Sequence, residues 1–105
     1  MTTKQKTLSS KQIRYLRSLG HHLVPVAMVG QHGMTKEVLD AVKAVLASHE
    51  LIKVKIQNTA SLERHEAAEA LAAKTGAALV QVIGRSVLLF KANKDIRPDK
   101  RIALP

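Results

Sequence analysis

The residues in this chain with the most evident chemical use are suited to holding an anion rather than breaking a bond. Gly30 and Gly33 stand three apart in the run Val29-Gly30-Gln31-His32-Gly33-Met34-Thr35. Glycine lets a backbone turn tightly and lets a ligand approach where a β-carbon would intrude. A helix beginning after Thr35 would add unpaired N–H groups and the positive end of its dipole. Gln31 and His32, at the tip, can donate hydrogen bonds to a phosphate, a ribose 2′-hydroxyl or a base edge. Two glycines at this spacing often make only a turn, so the surrounding elements and the charge must decide. KH domains, which clamp a nucleic-acid backbone with a G-x-x-G loop, are the nearest mechanistic parallel.

Candidates for catalysis are weaker. His65-Glu66-Ala67-Ala68-Glu69 looks like the metalloprotease pattern H-E-x-x-H, but Glu69 stands where the second histidine belongs. His65 and Glu69 lie one helical turn apart with no third ligand at a diagnostic spacing, so a solvated helix face is the simpler reading. His21 and His22 are adjacent, and neighbours rarely face one site. The chain has no cysteine, which excludes disulfides, thiolate metal centres and cysteine nucleophiles. It also lacks a phosphate-loop lysine motif, a G-x-S-x-G elbow and a dinucleotide fingerprint. No enzyme activity, cofactor or metal is expected, and a small metal-dependent enzyme is the least favoured alternative.

Charge points to the partner. Seventeen Lys and Arg against eight Asp and Glu give a formal charge of +9, so a polyanion is the natural ligand. Lys4, Lys6, Lys11, Arg14, Arg17 and Lys36 all precede the first acidic residue, Glu37. Membrane binding would need bulky interfacial anchors, and the chain has one Phe, one Tyr and no Trp. No apolar run approaches the roughly 18 residues needed to span a bilayer, and the first residues lack the apolar core of a signal peptide, so a cytoplasmic monomer is expected. Charge alone does not separate RNA from DNA, and a general nucleic-acid-binding module acting on another structured RNA or on DNA is the alternative. The scarcity of aromatics argues against a base-stacking platform.

The elements that must position these residues are legible from pattern. Ser9 and Gln12 form a capping-box pair ahead of a helical stripe at Ile13, Leu16 and Leu19 or Gly20, with Gly20 as the stop and Lys11, Arg14 and Arg17 on or beside the solvated face. Val24 to Val29 reads as a strand in which Pro25 sits near the start or on an edge. Thr35 caps a helix through Val38, Leu39, Val42, Val45 and Leu46. Leu51 to Gln57 alternates, with Ile52, Val54 and Ile56 inward and Lys53 and Lys55 outward. Thr59 or Ser61 is expected to cap an alanine-rich helix from about Leu62 to Thr75, closed by Gly76. Ala78 to Ile83 and Ser86 to Lys91 make a hairpin around Gly84-Arg85. The prediction is one α/β domain over residues 9–94, a mixed four-stranded sheet with three helices in the order α-β-α-β-α-β-β. A flexible basic arm, 1–8, precedes it and a basic tail, 95–105, follows. The candidate contact set is Gly30, Gln31, His32 and Gly33 with Lys11, Arg14, Arg17 and Lys36, then Lys53, Lys55 and Arg85. Lys94, Arg97, Lys100 and Arg101 add nonspecific, salt-sensitive affinity.

Several motifs in order give the chain a more specific likeness. Leu8-Ser9-Ser10-Lys11-Gln12 with Arg14 and Leu16, the Val29 to Thr35 run, Glu50-Leu51-Ile52-Lys53-Val54-Lys55, Gln81-Val82-Ile83-Gly84-Arg85 and Leu88-Leu89-Phe90 together resemble the CRM domain, the chloroplast RNA splicing and ribosome maturation family, in its stand-alone bacterial YhbY-like form. The resemblance covers roughly Leu8 to Lys94. It implies a fold similar to the C-terminal domain of translation initiation factor three. It also implies RNA binding through the loop Gly30 to Gly33 and nearby basic residues, and association with ribosomal RNA in precursors of the large subunit.

Overall fold

The computed structural model describes residues 8–57 and 63–105. Three α-helices and four strands follow the expected order: α1 (Ser10–Gly20), β1 (Ala27–Val29), α2 (Lys36–Leu46), β2 (Leu51–Ile56), α3 (Arg64–Thr75), β3 (Ala78–Ile83) and β4 (Ser86–Phe90), then a 3₁₀ turn at Pro98–Lys100. The strands form one sheet in the order β1-β2-β4-β3. β1 runs parallel to β2, whereas β4 is antiparallel to both β2 and β3.

The alternation of β2 divides the interior. Ile52, Val54 and Ile56 join Val29, Val87 and Leu89 under α2 and α3, where Val42, Leu46, Ala67, Ala68, Leu71 and Ala72 complete the larger core. The opposite face carries a smaller cluster, in which Leu16 of α1 packs with Leu51, Val80, Leu88 and Phe90. Each large aliphatic group so buried stabilises the fold by roughly 1.5–3 kcal/mol. A bulge between Leu79 and Gln81 lets β3 direct Val80 into the smaller cluster while Gln81 still pairs with Leu88.

Local chemistry explains the helix starts. Ser9 accepts from the Gln12 amide and the Gln12 side chain accepts from the Ser9 amide, so the expected capping box is present. Thr35 caps α2 by accepting from the Val38 amide at 3.2 Å. Thr59, Ser61 and Leu62 lie outside the described residues, and the cap of α3 is Glu63, whose carboxylate accepts from the amides of His65 and Glu66. Gly76, at φ 73, closes α3 in the left-handed conformation.

α1 ends at Gly20 as expected, but not through a left-handed cap. The residue after it, His21, keeps right-handed helical geometry, and a β-carbon on Gly20 would sit 2.5 Å from a methyl of Leu88. The glycine is there so that α1 can lie close on β4. β1 is also shorter than the Val24 to Val29 reading, because Val24 and Pro25 do not join the ladder and Val24 is 73% exposed. The segment expected as a basic tail touches the domain through Ile96, which is buried, and through Ile102 and Leu104, which pack on the smaller cluster. Leu8, in the expected arm, packs there too; residues 1–7 lie outside the described set.

Candidate nucleic-acid interface

Parallel pairing of β1 and β2 puts their carboxyl ends side by side, with Val29 opposite Ile56. From that end the chain leaves β1 into the glycine loop and α2, and leaves β2 toward α3, so both helix N-termini lie at the same end of the sheet. The β3–β4 turn is there as well, because Ser86 pairs with Lys55 and the Arg85 carbonyl accepts from the Ile56 amide at 2.7 Å. Gly30 to Gly33, Lys55 and Arg85, distant in sequence, therefore share one end of the molecule.

The loop itself is a tight turn. The Gly33 amide donates to the Gly30 carbonyl at 3.1 Å, and the Thr35 amide donates to the Gly33 carbonyl at 2.9 Å. Gly33 is buried and adopts φ 73, the region where a β-carbon is costly. Gly30 has ordinary φ, and a β-carbon there would meet only the Gln57 side-chain oxygen, at 3.4 Å. Gln31 and His32 are exposed at the tip, their side-chain nitrogens 3.4 Å apart.

The two helix mouths are not equivalent toward an anion. At α3 the Glu63 carboxylate already occupies the N-terminal amides. Its pKa is lowered, chiefly by the hydrogen bond from His65 and then by the backbone amides it accepts from. At α2 the neutral Thr35 hydroxyl takes only the Val38 amide, leaving the first-turn amides of Lys36 and Glu37 without an acceptor among the described residues. Of the two mouths, that of α2, beside the glycine loop, is the one whose first amides are open to an acceptor.

The basic residues divide by partner. The side chains of Lys11, Arg14, Lys53, Lys55 and Arg85 make no hydrogen bond or ion pair among the described residues, and all but the half-buried Lys53 are exposed. Arg17 reaches from α1 to β3, where the Gln81 amide, its oxygen turned to the guanidinium, accepts at 3.0 and 3.1 Å. Lys36 is paired with Asp40 at 2.8 Å one turn further along α2; the hydrogen bond and the charge raise the lysine pKa and lower that of the aspartate. Its ammonium is thereby drawn away from the loop. Lys11, in the first turn of α1, has no contact tying it to the loop end.

Sequence reasoning passed over Arg64, which opens α3 and donates to the Gly84 carbonyl at 2.8 Å, bracing the β3–β4 turn. A cation at a helix N-terminus opposes the dipole, and that conflict is the signal that marked it. The histidine candidates resolve simply. His65 Nδ1 lies 2.9 Å from a Glu63 carboxylate oxygen, His21 and His22 meet edge to face, and no group of three His, Cys, Asp or Glu among the described residues could hold a metal ion. No described helix is long and apolar enough to cross a membrane.

Charge is sorted among the elements. Glu37, Asp40, Glu63, Glu66 and Glu69 all belong to α2, α3 or the α3 cap, Glu50 is buried, and Asp95 and Asp99 follow β4. α1, the four strands, the glycine loop and the hairpin turn contain no acidic residue. The charged groups carried by α1, the strands, the glycine loop and the hairpin turn are therefore all positive, while Glu37 and Glu63 stand at the two helix mouths.

With this geometry in place, the comparisons with known proteins are decisive at the level of family. Residues 8–91 match the CRS1 / YhbY (CRM) domain, and the chain belongs to that family. It is 37% identical over 98 residues to the Bacillus subtilis protein named "Probable RNA-binding protein YqeI", covering 93% of this chain and 99% of that one. It is 38% identical over 91 residues to a Haemophilus influenzae protein named "RNA-binding protein", covering 87% and 92%. Its fold is similar to the solution structure of SAV1595 from Staphylococcus aureus, with a TM-score of 0.79 at 34% identity over 94% of this chain and 100% of the other.

Proposed function

We propose that this protein binds structured ribosomal RNA in precursors of the large ribosomal subunit and assists their maturation by binding alone, as a cytoplasmic monomer without a cofactor. The observation that carries the reading is the sorting of charge. Arg14, Lys53, Lys55 and Arg85, whose side chains have no partner among the described residues, and the glycine loop lie on elements without an acidic residue, while five of the eight acidic residues belong to α2, α3 and the α3 cap. The names of the relatives support RNA as the polyanion.

In this reading a backbone phosphate sits against Gly30 and the open amides of Lys36 and Glu37, with Gln31 and His32 beside it. Lys55 and Arg85 neutralise neighbouring phosphates, and Arg14 and Arg17 extend the contact along α1. Phosphate contacts set position and register, so selection of the RNA rests on its shape.

The test is sedimentation of a cell lysate through sucrose gradients at low and moderate salt, comparing wild type with Gly30→Asp. Gly30 has ordinary φ and room for a side chain, so the variant should fold while placing a carboxylate where the phosphate would lie. Co-migration with large-subunit precursors, weakened by salt and lost in the variant, is the expected result. A wild-type protein that stays at the top of the gradient at low salt would sink the ribosomal assignment.

A further inference from the structure

α1 covers only part of its face of the sheet. Leu16 lies over Leu51, Val80, Leu88 and Phe90, and Arg17 reaches Gln81, which pairs with Leu88. Two residues further along the strands, toward the glycine loop, comes one cross-strand row: Met28 beside Lys55, Lys55 beside Ser86, and Ser86 beside Ile83. All four point to the α1 side, since their strand neighbours Ala27, Val29, Val54, Ile56, Val82 and Val87 belong to the core beneath α2 and α3. Lys55 is exposed and Ser86 half-buried, and the apolar ends of the row are open, Met28 at 48% and Ile83 at 43% exposure.

An exposed Met and Ile at opposite edges of a sheet, with a lysine between them, are a poor surface for water. With strands about 4.8 Å apart, the row spans about 14 Å. It is bounded by Arg17 on the α1 side and by the glycine loop and Arg85 on the other, and no carboxylate borders it on the strands, α1 or the loop. A protein helix would find apolar contact here but would have to be strongly acidic. A nucleic-acid strand meets both demands at once, because each nucleotide carries an anion and an apolar base face. Base pairs in a duplex hide those faces, and only unpaired nucleotides can present them.

We infer that the Met28–Lys55–Ser86–Ile83 row receives unpaired nucleotides of the bound RNA, the bases lying on Met28 and Ile83 and their phosphates on Lys55, Lys53 and Arg17. This rests on the RNA-binding reading above and adds to it a ligand class: a helical RNA element continued by a single-stranded segment. The thioether of Met28 is polarisable and suits a π-face. Ser86 lies within the row as a polar group able to donate to or accept from a base edge. The row holds no aromatic side chain, so the preference it confers is modest and indifferent to base identity.

The experiment compares a blunt RNA hairpin with the same hairpin extended by an unpaired tail, using wild type, the double variant Met28→Thr with Ile83→Thr, and Lys55→Gln. Threonine keeps strand propensity at both positions. Wild type should bind the tailed hairpin about fivefold more tightly than the blunt one. The double variant should lose that preference while its affinity for the blunt hairpin stays within about twofold, and Lys55→Gln should weaken both RNAs alike. In the unaltered protein, the Met28 ε-methyl and Ile83 δ1-methyl NMR signals should move with the tailed hairpin and not with the blunt one. Absence of any tail preference in wild type, or its survival in the folded double variant, overturns the inference, and the survival would reassign the apolar pair to a protein partner. Failure of wild type to bind either hairpin would instead overturn the RNA-binding reading on which it stands.

Discussion

The amide of Gly33 donates to the carbonyl of Gly30, and of these two loop glycines only Gly33 lies at positive φ. The pair therefore splits into a structural position and a contact position. Gly33→Ala should cost about 1–2 kcal/mol of stability, because an L-residue is strained in that region. Gly30→Ala should change stability by less than about 0.5 kcal/mol, since its β-carbon meets only the Gln57 oxygen at 3.4 Å. If RNA backbone approaches Gly30, Gly30→Ala should still weaken binding. Chemical denaturation beside RNA titration reads both effects, and equal destabilisation by the two substitutions would refute the division.

Gly20 of α1 lies against Leu88 of β4 with no room for a side chain. A methyl group on Gly20 would lie 2.5 and 2.6 Å from the two Leu88 methyls, and Leu88 is fully enclosed. Gly20→Ala should destabilise by about 1–3 kcal/mol through overpacking, despite the better helix propensity of alanine. Adding Leu88→Val should recover part of the loss in a double-mutant cycle. A neutral or stabilising Gly20→Ala would mean that the residue serves the helix end after all.

Glu50 binds the final segment to the fold. Only 3% exposed, it accepts from the Asn93 amide at 2.8 Å and the Ile102 amide at 2.6 Å, with Arg101 3.8 Å away. Glu50→Ala would leave those donors unmatched and should cost about 2–4 kcal/mol. Limited proteolysis should then cut within residues 94–105, which the wild type protects. Unchanged resistance in the variant would show that Ile96, Ile102 and Leu104 hold the segment without the carboxylate.

The Lys36–Asp40 ion pair sets the rank of the cations. Lys55→Gln and Arg85→Gln should each reduce the slope of log affinity against log salt by about 1, as expected for a lost phosphate contact. Lys36→Gln should do less, its charge being offset by Asp40 at 2.8 Å. Asp40→Asn should raise affinity about twofold by freeing the ammonium. Binding isotherms across a salt series check this, and a Lys36 slope change equal to that of Lys55 would refute it.

Much of the molecule is legible in local chemistry. The Ser9–Gln12 box, the Thr35 cap, the apolar stripe of α2, the alternation of β2 and the turn at Gly84 are each decided by neighbours a few residues apart, and the structure reproduces them. The glycine loop is likewise visible as a spacing between a strand and a helix. Periodicity reports that a strand has two faces, but it does not report what covers them. Met28 and Ile83 look like core residues in sequence and become surface because α1 stops short of their row. Gly20 does end α1, but its need to be glycine becomes visible only when β4 is placed against it. Convergence of the loop, Lys55 and Arg85 at one end follows from strand order and direction. Those arise from pairing between segments distant along the chain, and no local pattern encodes them.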